Sequence, residues 1–335
     1  MTFEEMLDLH RRGETDAAEA AYREHLAAQP DDAEVAHMLG VLRGQSGNHA
    51  DARTWLQRAI ELAPEEARYH LGLGGVLLQM GEAESARAEF EHALKLDPNL
   101  VEAHSLVGHL QLGDGDLDAA EKRFRIGRRA DEQDPTILFG LGNVYLARND
   151  SANAVKFLSR AAEAKPDDAA IQASLGRALF EEGAYSFAEK AFENALSLRS
   201  DLSIAKLFLG RARLRLDKAE AAREVFVDLL ANNQQVFGAN AGLGDLARKK
   251  DQPVRALKFY RRALALDPAH AGAANACAWC MERLGDIAAA VHYLEEGLRH
   301  SPDADELRVP LAELRRRLGR GDGSAAADAE AAPQR

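Results

Sequence analysis

Three groups of residues have types and spacings that could do chemistry. Cys277-Ala278-Trp279-Cys280 is a C-x-x-C, the arrangement of a redox pair or of half a metal site. A structural zinc site needs further ligands, and these are the only two cysteines in the sequence. Gly72-Leu73-Gly74-Gly75, Gly140-Leu141-Gly142 and Gly242-Leu243-Gly244 imitate the glycine loops that cradle phosphates, but none is a G-x-G-x-x-G following a strand. His37, His70, His104 and His109 crowd one stretch. His70 and His104 lie one repeat apart, and stacked helices about 8–10 Å apart hold such a pair too far apart to share a metal easily. No G-x-S-x-G, Walker or H-E-x-x-H motif occurs. These residues therefore read as packing positions. The expectation is a chain that is not an enzyme, with no catalytic residue, metal site or cofactor.

What positions these residues is a period of 34. Glycines stand at Gly40, Gly74, Gly108, Gly142, Gly176, Gly210 and Gly244, and the next site holds Ala278. Twelve residues after each comes alanine, from Ala52 through Ala86 to Ala290. Four residues further on is a large apolar side chain, as at Leu56, Phe90, Phe124, Leu158, Phe192, Phe226, Tyr260 and Leu294. Prolines close many units, at Pro30, Pro64, Pro98, Pro166, Pro268 and Pro302. Internal repetition on this scale decides the architecture before any local propensity does.

Each period reads as two helices. Residues 66–80 carry apolar side chains at helical spacing, and Gly81 supplies the left-handed residue a helix end often needs. Residues 85–96 repeat the pattern and stop at Asp97-Pro98, since proline disfavours helix in the residue before it. Gly74 and Ala86 let the two backbones approach, and Phe90 fills the space between neighbouring pairs. No single pair buries both faces, so the pairs must stack. At the start, Thr2 and Glu5 have the spacing of a capping box. Leu229 stands where other units have a packing alanine, and Gly238, Ala239, Ala241 and Gly242 of the next helix would compensate its volume.

The Leu-Gly of the first helix and the later Ala, Phe, Ala and Pro make the chain resemble the tetratricopeptide repeat over residues 2–318. The resemblance implies an all-α helical-hairpin solenoid wound as a right-handed superhelix, with about nine repeats and a C-terminal capping helix. The units fall near 2–32, 33–66, 67–100, 101–134, 135–168, 169–202, 203–236, 237–270 and 271–304. A cap follows at 305–318, and 319–335 is expected to be a disordered tail. Pro310 must sit in the first turn of the cap or mark a kink. Cys277 and Cys280 occupy positions that other units fill with Leu, Val or Ala.

Repeat positions 2, 5, 9, 12 and 13 of the first helix fall within about 100° of one another and form one stripe. By resemblance to the family this stripe lines a concave groove. Its front half carries His37, Val41, Leu71, Leu78, His109, Leu112, Phe139, Asn143 and Leu146. Its back half carries Arg177, Phe180, Leu207, Arg211, Leu214, Arg215, Arg248, Lys249, Trp279 and Arg283, diluted by Glu181, Asp245 and Glu282. Such a stripe suits a protein or peptide partner with acidic groups, because the guanidinium fork matches carboxylates. Trp279 is the candidate anchor. The clamp by which some family members grip chaperone tails cannot be assembled, since position 5 holds His37, Leu71, Ser105, Phe139, Ala173, Leu207, Ala241 and Asn275 rather than lysine.

Composition narrows the function classes. The 335 residues are 46% hydrophobic and 29% charged, too apolar for wholesale disorder. The net charge of −12 argues against general nucleic-acid binding. No stretch approaches the roughly 18 apolar residues of a membrane span. The acidic start Met1-Thr2-Phe3-Glu4-Glu5 does not look like a secretory signal. The expectation is a cytoplasmic scaffold or adaptor that binds a partner protein. The alternative is the recognition arm of a transferase or hydroxylase system whose catalytic part lies on another chain.

Overall fold

The computed structural model describes the backbone of residues 1–330 and side chains through Gly319. Among the described residues there are nineteen helices and no strand. They fall into two compact units, Met1–Asp167 and Asp168–Arg335.

The first unit holds α1 (Phe3–Arg11), α2 (Thr15–Ala28), α3 (Ala33–Gln45), α4 (His49–Leu62), α5 (Ala67–Gln79), α6 (Ala83–Leu96), α7 (Val101–Gly113), α8 (Leu117–Ala130), α9 (Pro135–Ala147) and α10 (Ser151–Ala164). The second holds α11 (Ala169–Glu181), α12 (Tyr185–Leu198), α13 (Ser203–Arg215), α14 (Ala219–Ala231), α15 (Val236–Lys249), α16 (Pro253–Leu266), α17 (Ala271–Arg283), α18 (Ile287–His300) and α19 (Asp305–Glu330). Odd and even helices pair as hairpins, and within each unit each hairpin packs on the next. First helices of neighbouring hairpins also touch directly: α3 with α5 and α7 with α9 in one unit, α11 with α13 and α13 with α15 in the other. Among the described residues, successive second helices make no contact of comparable extent. Within each unit the first-helix layer is therefore the tighter one.

Local chemistry explains the ends. Thr2 accepts a hydrogen bond from the Glu5 backbone N–H, and the Glu5 carboxylate accepts one from the Thr2 N–H, so the capping box closes. Asp32, Asp116, Asp134, Asp150, Asp168 and Asp286 cap later helices with their carboxylates. Gly81 is left-handed at φ +81°. At the same phase of other hairpins Asn149, Asp217 and Asp251 hold that conformation at φ 58°, 60° and 50°. Short Asx side chains tolerate it better than other L-residues.

Glycines make room for rings. Phe226 is fully buried between Gly210 of its own hairpin and Gly242 of the next, and a Cβ on either would fall within 2.6 Å of the ring. Phe124 sits likewise between Gly108 and Gly140. The space left by Gly238 is filled by Leu207, so Leu229 does not take that volume; it packs in the same cluster beside Ala239.

At the C-terminus α19 spans Asp305–Glu330, starting where the capping helix was expected. The last part of the expected tail, 331–335, lies outside the described residues. Pro310 lies in the interior of α19. Leu307, Leu311 and Leu314 are buried against α17 and α18.

Candidate functional site

The two halves of the anticipated stripe lie in different units and have different chemistry. In the first unit, His37, Val41, Leu71 and Leu78 line a depression of about 540 Å³ across α3, α5 and α7. Arg68, Gly72, Gly75 and Leu106 line it too, and these the sequence reading missed. Gly75 was the available signal: it occupies a lining position, and a Cβ there would meet nothing within 4 Å. The walls are mostly apolar, and charge sits at the rim, where Arg68 pairs with Glu34 and Glu102 stands nearby. His37 is 9% exposed and tilted over Tyr69 at 4.7 Å. Burial pushes its imidazole down to about 4, and the Arg68 charge adds to the effect, so it is neutral near pH 7. His109 is half-buried and stacks on Phe139 at 6.0 Å, with burial again lowering its pKa. Asn143 is half-buried on α9. Leu146 is buried rather than lining.

In the second unit the cations separate into two classes. Lys249 pairs with Asp217 and donates to the Leu214 carbonyl at 3.1 Å. Arg283 donates twice to Asp251, at 2.8 and 2.9 Å. Both acids are the left-handed turn residues of the preceding hairpin, so these two cations tie hairpin to hairpin. Arg211, Arg215 and Arg248 instead lie over rings: Phe208 at 5.3 Å, Tyr185 at 5.7 Å and Trp279 at 5.9 Å. Burial lowers the Arg211 guanidinium from its ordinary value, while Asp245 and Glu181 oppose that shift. Arg248 also faces Asp245 at 3.4 Å, and Asp245 accepts a hydrogen bond from the Tyr260 hydroxyl at 2.7 Å. Arg177 is exposed on α11.

Leu207 is a correction to the expected lining. It is 7% exposed, because the glycine at position 238 leaves a hole in the neighbouring helix that its side chain fills. Leu214, Arg215, Asp245, Arg248 and Lys249 surround a depression of about 320 Å³. Beside it Arg248 and Trp279 line a second one of about 210 Å³, closed on the other side by Pro310, Glu313, Leu314 and Arg317 of α19. Arg317 pairs with Glu282. Tyr185 and Phe208, the rings beneath two of the arginines, were missed because neither falls on the stripe positions.

The residues singled out for chemistry serve packing. Cys277 and Cys280 are fully buried beside Ala247, Ala256 and Tyr260. Burial pushes their thiols up to about 12 and about 11, so both stay protonated at neutral pH. His70 and His104 each place Nε2 against the carbonyl of the proline six residues earlier, Pro64 at 3.2 Å and Pro98 at 2.9 Å. Among the described residues no three acidic, histidine or cysteine side chains gather as a metal site. No described helix is long and apolar enough to cross a membrane.

Comparison with known proteins agrees with this architecture. A family model described as the cilia and flagella-associated protein 70 C-terminal domain matches residues 7–206. A tetratricopeptide repeat model matches 207–271. No curated protein matches the sequence. Among solved structures, the APC/C hetero-tetramer Cut9–Hcn1 contains a chain similar at a TM-score of 0.60 and 16% identity, over 89% of this chain and 58% of that one. This chain thus spans 58% of that relative's length. The Pseudomonas aeruginosa pilF structure is similar at 0.52 and 20% identity, over 61% of this chain and 93% of that one. PilW, described as a widely conserved type IV pilus biogenesis factor, is similar at 0.53 and 18%, over 60% and 93%. At these identities the likeness is one of fold.

Proposed function

Because the chain belongs to the tetratricopeptide-repeat family, whose repeats generally mediate protein–protein interaction, we propose that it is a non-enzymatic scaffold holding a partner segment along its first-helix face. The observation that carries this reading is the arrangement of Arg211, Arg215 and Arg248. Each guanidinium lies over an aromatic ring, which limits its freedom in advance; Arg211 and Arg215 have no carboxylate within ion-pair distance among the described residues, while Arg248 also faces Asp245 at 3.4 Å. An acidic group of a partner supplies the counter-charge those forks are placed to accept. The apolar depression around Leu71 and Leu78 in the first unit supplies contact area of the other kind. His109, Phe139 and Asn143 continue that surface, and Trp279 is the anchor beside the arginines. Cytoplasmic location belongs to this proposal.

The test is affinity capture from the native cell with the full chain as bait, read by mass spectrometry. Arg211→Glu with Arg215→Glu should lose the partners that the wild type retains, with circular dichroism unchanged. Lys249→Gln, which removes a cation engaged in hairpin packing, should retain them. Partners captured equally by the arginine double variant would sink the reading.

A further inference from the structure

The second-helix side of the first unit carries a charge feature that the first-helix face does not explain. Residues 1–167 contain 18 lysines and arginines against 30 aspartates and glutamates, whereas 168–335 contain 24 of each. The whole net charge of −12 therefore resides in the first unit. Within it, α8 runs Glu121-Lys122-Arg123-Phe124-Arg125-Ile126-Gly127-Arg128-Arg129, five cations to one acid. Arg123 is engaged by Glu91 at 2.5 Å, and Arg125 by Glu121 at 2.6 Å. Lys122, Arg128 and Arg129 have no carboxylate within ion-pair distance among the described residues, and neither does Lys156 on α10.

Two of these free cations converge on one ring. The Arg128 guanidinium lies 5.8 Å and the Lys156 ammonium 6.0 Å from the Phe157 centroid. That ring is itself stacked on Tyr145 at 5.5 Å and 2°. Tyr145 is pinned by donating to Glu121 at 2.9 Å and accepting from Arg125 at 3.0 Å. Burial would raise the Glu121 carboxyl, yet hydrogen bonds from Arg148, Tyr145 and Arg125 hold it at about 2, so the pin keeps its charge. The result is a buried, pinned aromatic pair with two cations close to the Phe157 ring that no carboxylate engages.

We propose that this surface, Lys122, Arg128 and Arg129 on α8 with Lys156 on α10, is a second docking site that takes a short acidic polypeptide segment. Charge complementarity selects the occupant, and extent selects its class. Lys122 to Arg129 covers about 10 Å of helix axis. That length accommodates a few carboxylates, not the six to ten phosphates of a typical nucleic-acid footprint. Asp118, Asp131 and Glu132 flank it, and the acidic unit around it repels an extended polyanion or an anionic membrane. A compact acidic motif meets the cations without meeting that field.

The experiment uses the full chain and a fluorescein-labelled, glutamate-rich peptide of about eight residues, followed by anisotropy at low salt. The comparison variant is Lys122→Glu, Arg129→Glu, Lys156→Glu, whose three side chains are exposed and unpaired, so the fold is retained and checked by circular dichroism. We expect the triple variant to bind at least about tenfold more weakly than wild type. The same three substitutions made in an Arg211→Glu, Arg215→Glu background, where those first-helix cations no longer contribute, should weaken binding by the same factor, and Lys258→Glu, which reverses an exposed cation of α16, should bind the probe as wild type does. A wild type that ignores the peptide, or a triple variant that binds it equally, overturns the proposal. So does tighter binding of a thymidine oligonucleotide or of phosphatidylserine vesicles than of the peptide.

Discussion

A Cβ placed on Gly242 would stand 2.4 Å from Cζ of the Phe226 ring. The ring cannot retreat, because Gly210 holds it from the other side and the residue is wholly buried. Gly242→Ala should therefore lower stability by about 1–3 kcal/mol, the usual cost of overpacking. Gly140→Ala, against Phe124, should do the same. Gly75→Ala is the opposite case. It lies in α5 with open space at the Cβ, so better helix propensity should raise stability by roughly 0.5–1 kcal/mol. Urea unfolding followed by circular dichroism separates the three.

Leu207 should behave as a core residue. Truncation to alanine empties the hole opposite Gly238 and should cost about 2–5 kcal/mol. A side chain that only touched a partner would unfold at wild-type denaturant concentration when truncated, so the midpoint decides its role.

His37 gives a pH dependence whose sign follows from burial. Its native pKa is about 4, below its ordinary value of 6.5. Above pH 6.5 the imidazole is neutral whether folded or not, and its contribution is complete. As pH falls from 6.5 toward 4 the unfolded chain takes up a proton that the native state resists, so stability drops. The full difference is of order 3 kcal/mol. His37→Phe should flatten the stability curve across that window, with little change in slope above pH 7. An unchanged acid limb would count against the neutral assignment.

The thiols should be silent. Ellman's reagent should modify Cys277 and Cys280 only as fast as the native state opens, and immediately in urea. Rapid native reaction at neutral pH would revive a redox role for the pair.

The fold was legible because repetition averages out local ambiguity. Glycine at 244 and a ring at 260 mean little alone, but the same small-and-large pair recurs every 34 residues and reports one close helix crossing each time. The candidate site was less legible, since its exposure depends on two hairpins at once. A wheel drawn on α13 puts Leu207 beside Arg211; only glycine at 238, in the next hairpin, turns Leu207 inward. Lys249 and Arg283 looked like free cations because their acids, Asp217 and Asp251, lie 32 residues away in a turn. The rings under Arg211 and Arg215 come from positions the stripe does not include.

Asp251 has two jobs in one side chain. Its backbone makes the left-handed bend that ends α15, and its carboxylate grips Arg283 at the far end of α17. Damage at this residue would be felt by two neighbours together: one loses the bend that stops its helix, the other its tether. Such a joint passes melting from hairpin to hairpin along the row, so the fraying of one pair is never wholly private to it.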